Sequence, residues 1–520
     1  MDNLKNMDIM NIPKEKFKLA AARDLSHDKK LATKPRGYFQ DALSRFCKNK
    51  GAIAGAIVIF VLFLYACFGS LLTPYTVAYE DPYFVKTLPK CELFAKTNFW
   101  DGCEEKTFNK ETFDYYYLIG EETGHNAIKN QEYTKSGNLY NVRLDSYHIA
   151  GCIYKKVEKA EYENIQKYQD ETGIQVIYPT ITKRDRPDEK LVGQDMIANY
   201  YYKTKAVGGV LQIVYDNNGD VIPVYRNHAV GEEGKDNYKS LRIPGDDGKS
   251  GVWYDYAFPI DTGYEIRINY YEYYVYYHTY VLGDGIEKPS FLFGTTSGGQ
   301  DIFTCMSSGA LFSFAFSIAV SLVNLIVGAI YGAIEGYYGG KLDLLMERFS
   351  DILSAVPTMI VITLLRLHMG SSGPIVILFI AFFATGWIGM ASSTRMQFYR
   401  YKNQEYVLAA RTLGAKDRRI IWKHIFPNAL GTLVTRCALI IPSMIYSEVN
   451  LSYLGIISLS SGNLTSVGTI LANGQALLKM GVPHIAAFPS VFLALLLLSF
   501  NLFGNGLRDA FNPSLRGSED

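Results

Sequence analysis

The sequence predicts a mainly α-helical membrane protein into which a folded α+β domain is inserted. Several apolar runs are each long enough to cross a bilayer as a helix, which takes about 20 residues. The long region after the first run is instead polar and rich in tyrosine. Overall, 48% of the 520 residues are hydrophobic and 20% are charged, a balance that fits a chain containing both kinds of region.

Charge and cysteine usage exclude several other classes of protein. A net charge of +1 gives no electrostatic case for nucleic acid, which requires a basic face or arm. The seven cysteines contain no CxxC pair, and the eight histidines show no metal-binding spacing, so we predict no metal site and no catalytic residue. Cys91 and Cys103 could pair in an oxidising compartment. With Cys152 that region holds an odd number of thiols, so free buried thiols are an equal alternative.

The N-terminal part predicts a cytoplasmic tail followed by one membrane span. Residues 1–50 are polar, and basic residues precede the apolar run 51–72. No small-residue cleavage site follows that run, and the tail is too long for a secretory signal. We therefore expect 51–72 to be an uncleaved transmembrane helix with the N-terminus inside.

Residues 73–290 are expected to form an extracytoplasmic α+β domain, called the insert below. None of its segments could cross a bilayer, and its length allows a core of its own. Asn218-Gly219 predicts a hairpin turn between strands at 209–215 and 221–225. We further predict a short helix at 155–168 and one or two aromatic strands at 264–281. The many tyrosines could form a binding surface, although packing in the core and strands explains them more simply.

The C-terminal part predicts five further spans. Their apolar runs lie at 309–334, 349–368, 373–394, 429–455 and 483–504. The loop 395–428 is rich in arginine and lysine, whereas Lys479 is the one basic residue of the loop 456–482. Because cytoplasmic loops carry the excess of basic residues, this asymmetry places both termini and loop 395–428 inside and the insert outside.

One polar stretch, 405–427, stands out between the apolar runs. It contains the small residues Ala409 and Ala410, and Gly414 follows one helical turn later. This spacing predicts a short helix with one bare face and a sharp turn after it. The bare face could admit a side chain of a partner protein; an ordinary basic cytoplasmic loop is the alternative.

Some polar residues lie within predicted spans, where a buried charge is costly. Glu448 is the main case: it could face a translocation path, sit at the outer interface or pair with a basic residue of the bundle. Asn324 has a similar ambiguity. Arg366 and Arg436 are weaker cases, and we expect Arg366 to extend from a helix end towards water.

The stretch 405–427 resembles the coupling loop of the permease subunits of bacterial ABC importers. That pattern is Glu-Ala-Ala, three residues, Gly, nine residues and Ile-x-Leu-Pro. Ala409, Ala410, Gly414 and Pro427 match it, whereas Leu408 replaces the glutamate. The resemblance implies that the ATPase-coupling residues are Glu405, Ala409, Ala410, Arg411, Gly414, Ala415 and Pro427.

Further stretches resemble the C-type subunit of the oligopeptide/dipeptide/nickel branch. They lie at 293–310, 336–357 and 501–514, and Glu448 stands at the acidic position of the fifth span. The similarity covers part of the first 75 residues and nearly all of 291–516. The insert has no counterpart in the short loop common to this family.

The resemblance implies a six-span type I ABC importer permease fold in a bacterial inner membrane, with the permease core at 291–516. The expected partners are a second permease subunit, two ATPase subunits that bind ATP and magnesium, and an external substrate-binding protein. No cofactor and no enzymatic activity are expected in this chain. A peptide is the expected substrate, with Glu448 and Asn324 as candidate path residues; nickel or another small solute is an alternative. A second alternative is a membrane-anchored receptor or scaffold that acts through the insert, which we expect to be a docking scaffold.

Overall fold

The computed structural model describes residues 38–94, 97–178, 180–181, 204–221, 241–244, 253–369, 373–457, 459 and 465–511. The described part of the chain begins with two helices, α1 (Tyr38–Lys48) and α2 (Lys50–Phe68). Asn49 separates them, and its side chain accepts a 3.1 Å hydrogen bond from the amide of Ala52, which caps α2. This helix is the first predicted span, since one more turn continues it to Leu71.

The insert contains a three-stranded antiparallel sheet covered by a helix. Its elements are β1 (Cys103–Asn109), α3 (Lys110–Thr123), β2 (Ile128–Ser136) and β3 (Leu139–Asp145). β3 lies between β1 and β2. Phe113 of α3 stacks on Tyr140 of β3 with ring centroids 4.3 Å apart, which fixes the helix on the sheet.

The rest of the described insert contains a six-stranded antiparallel sheet, a separate two-stranded hairpin and two helices. Its elements are β4 (Cys152–Val157), α4 (Lys159–Thr172), β5 (Ile177–Tyr178), β6 (Thr180–Ile181), β7 (Thr204–Val207), β8 (Val210–Ile213), β9 (Leu241–Pro244), β10 (Trp253–Ile260), β11 (Gly263–Asn269) and α5 (Tyr270–Tyr276). The strand order is β4-β11-β10-β6, with β5 beside β11, β9 beside β10, and β7 paired with β8 alone.

Two local predictions for the insert need correction. The strand β8 pairs with β7 around Gly208-Gly209, and a single bridge from Tyr215 to Val221 closes the Asn218 turn. Residues 222–225 of the predicted hairpin lie outside the described residues. The helix predicted at 155–168 begins only at Lys159, because the three residues before Glu158 pair with β11.

The aromatic segment 264–281 is a strand only up to Asn269. From Tyr270 it is helical, and a π-helical turn, Tyr277–Leu282, continues α5. The Asn269 side chain accepts a 3.2 Å hydrogen bond from the amide of Glu272, so a capping residue starts the helix where the strand ends. The helix buries tyrosines in the insert core: Tyr270, Tyr273, Tyr274 and Tyr276. Packing therefore explains these tyrosines.

The C-terminal half is a bundle of helices. They are α6 (Ile302–Tyr338), α7 (Gly340–Ser354), α8 (Thr358–His368), α9 (Pro374–Tyr401), α10 (Glu405–Thr412), α11 (Asp417–Arg419), α12 (Phe426–Tyr453), α13 (Val467–Leu477) and α14 (His484–Phe511). A π-helical turn, Ile420–Ile425, joins α11 to α12.

The helices that could cross a membrane number five in the described chain, or six if one bent pair counts as a span. The pair is α7 and α8, and the helix axis bends by 70° between them. The span predicted at 349–368 is therefore not one continuous helix, because it is interrupted at Pro357. The loop predicted at 456–482 also contains a helix, α13.

Glycines allow the longest helices to approach closely. Gly328, Gly332 and Gly336 lie one turn apart on α6 and face the backbone of α9. A Cβ added at Gly332 would lie 2.1 Å from the carbonyl oxygen of Ala391, so no larger residue fits without movement. This small-xxx-small spacing is typical of tightly packed membrane helices. It makes α6 and α9 one paired unit.

Candidate functional site

The predicted coupling stretch forms a short helix that ends in a glycine turn. Gly414 has a φ of +82°, and its amide donates to the carbonyl of Arg411 at 2.9 Å. The amide of Ala415 donates to the carbonyl of Ala410 at 3.0 Å. These two bonds satisfy the last carbonyls of α10 and turn the chain sharply. The predicted helix and turn are both present.

The outer surface of α10 is largely uncovered. Only Val407 is buried in this helix, and Ala409 is exposed while Ala410 is half-buried. Leu413, at the turn, is 89% exposed. The stretch 405–427 has three further exposed apolar side chains: Tyr406, Leu408 and Trp422. Uncovered apolar residues on a polar segment are typical of a surface that contacts another protein.

The inner side of α10 is fixed to the bundle. Val407 packs in a cluster that includes Tyr337 and Phe398, from the ends of α6 and α9. The Tyr337 hydroxyl donates a 2.6 Å hydrogen bond to the Asp417 carboxylate. The Arg411 guanidinium lies 5.9 Å from the Tyr337 ring centroid. A displacement of α10 would therefore act directly on the C-terminal end of α6.

An ion-pair cluster ties α6, α7 and α9 together next to this contact. Arg395 donates to both carboxylate oxygens of Asp343, at 2.6 and 3.0 Å, and to those of Glu347, at 2.7 and 3.1 Å. Glu335 lies 3.5 Å from the Arg395 Nε. Bidentate pairs of this kind fix geometry as well as charge, so the three helix ends move together.

The other predicted coupling residues flank α10. Glu405 is its first residue and is exposed. Ala415 packs against the buried cluster around Val407. Pro427 is the second residue of α12, where a proline is tolerated because the first helical amides have no partner. Sequence reasoning missed Tyr337, Asp417 and Leu413, which no local pattern marked.

Glu448 is fully buried at the junction of three elements. Its Oε2 accepts a 2.6 Å hydrogen bond from Ser313 of α6, and its Oε1 accepts bonds from Ser452 at 3.1 Å and Ser466 at 2.6 Å. Ser466 caps α13, where its hydroxyl also accepts from the amide of Gly468. The carboxylate therefore connects α12, α6 and the start of α13 through hydrogen bonds.

Asn324 is also buried, at the contact of α6 with α9. Neither polar atom of its side chain has a hydrogen-bond partner among the described residues. Its Nδ2 lies 2.3 Å from the position that a Cβ would take at Gly386 of α9, so the glycine makes room for the amide. Neither Asn324 nor Glu448 has an exposed surface in this arrangement.

The insert is attached firmly to the membrane helices. The Trp100 indole donates a 2.5 Å hydrogen bond to the carbonyl of Leu292, just before α6. Its ring also lies 5.9 Å from the ring of Phe488 on α14. Thr87 and Thr295 share a 2.8 Å hydrogen bond between their hydroxyls, and both are buried. Aromatic stacking thus joins the insert to α14, and hydrogen bonds join it to the segment that leads into α6.

A buried charge cluster lies in the insert near Trp100. Asp101 pairs with Lys129 at 2.8 Å and with Arg143 at 2.7 Å. Burial raises the pKa of Asp101, but hydrogen bonds and the two cations outweigh it and lower the pKa overall. Cys91 and Cys103 are both unpaired, and burial raises the pKa of the Cys103 thiol to about 12.

These features define a class: a polytopic membrane protein with a folded insert between its first two spans. Residues 324–517 match the family of binding-protein-dependent transport system inner membrane components, and residues 37–89 match the N-terminal TM domain of oligopeptide transport permease C. The oligopeptide transport system permease protein OppC of Bacillus subtilis is 41% identical over 224 residues, 43% of this chain and 72% of that protein. The dipeptide transport system permease protein DppC of the same organism is 37% identical over 225 residues, 43% of this chain and 69% of its own.

The chain therefore belongs to the family of inner membrane permease subunits of ABC importers and has their type I fold. It is a multi-pass inner membrane protein, and ATP hydrolysis in this family is carried out by separate ATPase subunits. A solved MetNI methionine ABC transporter aligns with 40% of this chain and 96% of its own, at 17% identity and a TM-score of 0.31. That score is too low for a comparison of individual elements.

Proposed function

We propose that this subunit forms half of a translocation path for oligopeptides and couples it to cytoplasmic ATPases through residues 405–427. The observation that carries the coupling role is the exposed α10 helix, whose inner side contacts the ends of α6 and α9 through Val407. The relatives are named as oligopeptide and dipeptide transport permeases, and the proposed peptide substrate rests on the similarity to them. Nickel or another small solute is the alternative cargo.

The coupling mechanism follows from the contacts of α10. Two ATPase subunits would contact the exposed Ala409, Leu413 and Gly414. These subunits would bind ATP and magnesium. Their closure would push α10 against Tyr337 and Asp417. The helix ends joined by Arg395 would then move as a unit and shift the bundle between inward- and outward-facing states.

The path roles of Glu448 and Asn324 remain proposals. Both side chains are buried between helices in this arrangement. Each would therefore reach a substrate only when the helices around it separate during the change of state. A second, homologous permease subunit would supply the other wall of the path.

The insert, 73–290, is proposed to be an extracytoplasmic docking scaffold for the substrate-binding protein or the partner permease. Its firm attachment through Trp100 and Thr87 supports this role, because a tethered domain raises the local concentration of whatever it binds. In the alternative, the insert is itself a receptor. Direct binding of peptide by the isolated insert would show a receptor, and replacing residues 76–287 with a Gly/Ser linker tests the scaffold. Loss of uptake that excess binding protein partly restores fits a scaffold, and unchanged uptake would refute it.

Leu413→Glu tests the coupling role directly. In the co-expressed complex we expect the variant to insert normally but to lose ATPase co-purification and uptake, because a charge replaces the exposed apolar contact. Leu93→Glu is the matched control: Leu93 is 86% exposed but lies in the insert. Equal ATPase binding by both variants would contradict the proposal.

A further inference from the structure

One helix of the bundle presents a polar face away from its own subunit. The helix is α12, and the polar residues of the face are Asn428, Thr432, Arg436, Ser443, Ser447 and Asn450. Two apolar residues lie among them: Tyr446, which is exposed, and Leu439, which reaches Gly504 of α14. At about 100° per residue, these six positions fall within one sector of about 100° around the helix axis. All six are exposed or half-buried. We call this face the polar stripe.

The opposite face of α12 is buried in the subunit. Leu433, Cys437, Ile445 and Val449 pack against neighbouring helices there. The face towards the bundle is therefore mainly apolar, and the other face is rich in polar residues. A helix that borders water has this pattern, whereas a helix that faces lipid has apolar residues on its outer face.

The stripe extends across the membrane. From Asn428 to Asn450 it covers 22 residue steps, or about 33 Å at 1.5 Å per residue, close to the thickness of a hydrocarbon core of about 30 Å. Arg436 lies about 15 Å along the axis from Phe426, the first residue of α12. If the membrane span begins at Phe426, this charge lies about halfway across the hydrocarbon core.

Arg436 is exposed and has no hydrogen bond or ion pair with any described residue. Its guanidinium lies over Gly389 of α9, with Nη2 3.8 Å from the position that a Cβ would take there. The exposed glycine leaves space beside the cation. Two other arginines in the membrane helices differ, since Arg395 pairs with carboxylates and Arg366 donates to the carbonyls of 455 and 456.

An unpaired charge at membrane depth requires a partner from outside the chain or from water. We propose that the polar stripe lines the substrate path and that Arg436 binds a carboxylate of the passing peptide, chiefly its C-terminal one. This rests on the proposed peptide-transport function. A guanidinium forms two parallel hydrogen bonds to a carboxylate, which suits transient recognition of a group that peptides share whatever their side chains.

The test compares two peptides of the same neutral sequence, one with a free C-terminal carboxylate and one with a C-terminal amide. Uptake is measured in proteoliposomes that contain the complete complex. Each variant's uptake is divided by the wild-type uptake of the same peptide, which cancels any preference of the binding protein. For Arg436→Gln we expect uptake of the free peptide to fall roughly ten- to hundredfold, with the amide nearly unchanged. Arg436→Lys should restore part of the loss.

Arg366→Gln serves as the matched control, because its arginine contacts carbonyls and should not discriminate between the peptides. Equal losses for both peptides in Arg436→Gln, with weaker co-purification of the second permease, would mean that Arg436 pairs with that subunit. No change for either peptide would mean that Arg436 faces lipid headgroups or bulk water. Both results overturn the inference. If the wild-type complex assembles and hydrolyses ATP but transports neither peptide, the proposed peptide substrate itself fails.

Discussion

The hydroxyl of Tyr337 donates a 2.6 Å hydrogen bond to the carboxylate of Asp417, across the gap between α6 and the segment that follows the Gly414 turn. Tyr337 is 8% exposed, whereas Asp417 lies at the surface, so the bond joins a buried ring to an exposed carboxylate. It is a direct polar connection between the proposed ATPase contact and a membrane helix.

Tyr337→Phe removes the hydrogen bond and keeps the ring over which Arg411 lies. The link should weaken by about 1.5–3 kcal/mol, as expected for a bond to a charged acceptor. We expect fewer peptides transported per ATP hydrolysed, which a combined uptake and ATPase measurement would detect. Tyr338→Phe is the control, since the neighbouring Tyr338 is 55% exposed and no bond from its hydroxyl to a described residue is present. A normal ratio in Tyr337→Phe would refute the connection.

Gly414→Trp should abolish uptake and substrate-stimulated ATPase activity while the subunit still inserts. The φ of +82° disfavours residues with a side chain by about 1–2 kcal/mol, and the bulky ring would cover the exposed contact. Gly414→Asn should retain most activity, because asparagine tolerates this backbone conformation. The model of coupling fails if the tryptophan variant behaves like the asparagine variant.

Glu448→Leu should lower the thermal midpoint of the purified complex, because Ser313, Ser452 and Ser466 lose their acceptor. Each buried hydroxyl without a partner costs about 1–3 kcal/mol. Glu448→Gln keeps one acceptor oxygen and should be milder. If Glu448 instead lines the substrate path, both variants should keep normal stability and should change the uptake of cationic peptides.

Stability of the insert should fall as the pH drops below about 6.5. Burial, together with the charges of His125 and Lys90, lowers the pKa of His148 to about 3. Between these two values the unfolded chain binds more protons than the folded one, so acid favours unfolding, by about 1.4 kcal/mol per pH unit for this group. Hydrogen exchange of insert amides in the full chain, at pH 7.5 and 5.5, measures the change. His148→Phe should reduce the pH dependence, and an unchanged dependence would contradict it.

The orientation rests on the charge asymmetry of the loops and is tested with introduced cysteines. In a background without native cysteines, Asn218→Cys should react with a membrane-impermeant reagent in intact cells. Lys416→Cys should react only after the membrane is opened. Both positions are exposed, so access and not burial decides the result. The opposite pattern would invert the topology and remove the coupling role.

Local signals in the sequence predicted the short helix α10 and the turn after it. Ala409, Ala410 and Gly414 specify a helix and its end within one turn of chain, and the structure has both. The membrane helices were also predictable, because bilayer thickness fixes their length and composition. The bend between α7 and α8 was missed, although Pro357 marks it in the sequence.

Long-range contacts could not be predicted in this way. Ser466 meets Glu448 across 18 residues of chain, and Ser313 meets it across 135. The tyrosines after Asn269 have high strand propensity, yet a capped helix buries them, because tertiary packing outweighs propensity. Tyr337 and Asp417 became candidates only when the structure placed α6 beside α11.

The 37 residues of α6 have a further consequence. At 1.5 Å per residue the helix is about 55 Å long, almost twice the thickness of the hydrocarbon core. One end begins at Asp301, next to the buried Thr295 that holds the insert, and the other carries Tyr337. This single unbroken helix is thus long enough to extend beyond the hydrocarbon core on both sides of the membrane. A protein that docks on the insert could alter the rate of ATP hydrolysis on the opposite side before any cargo has moved.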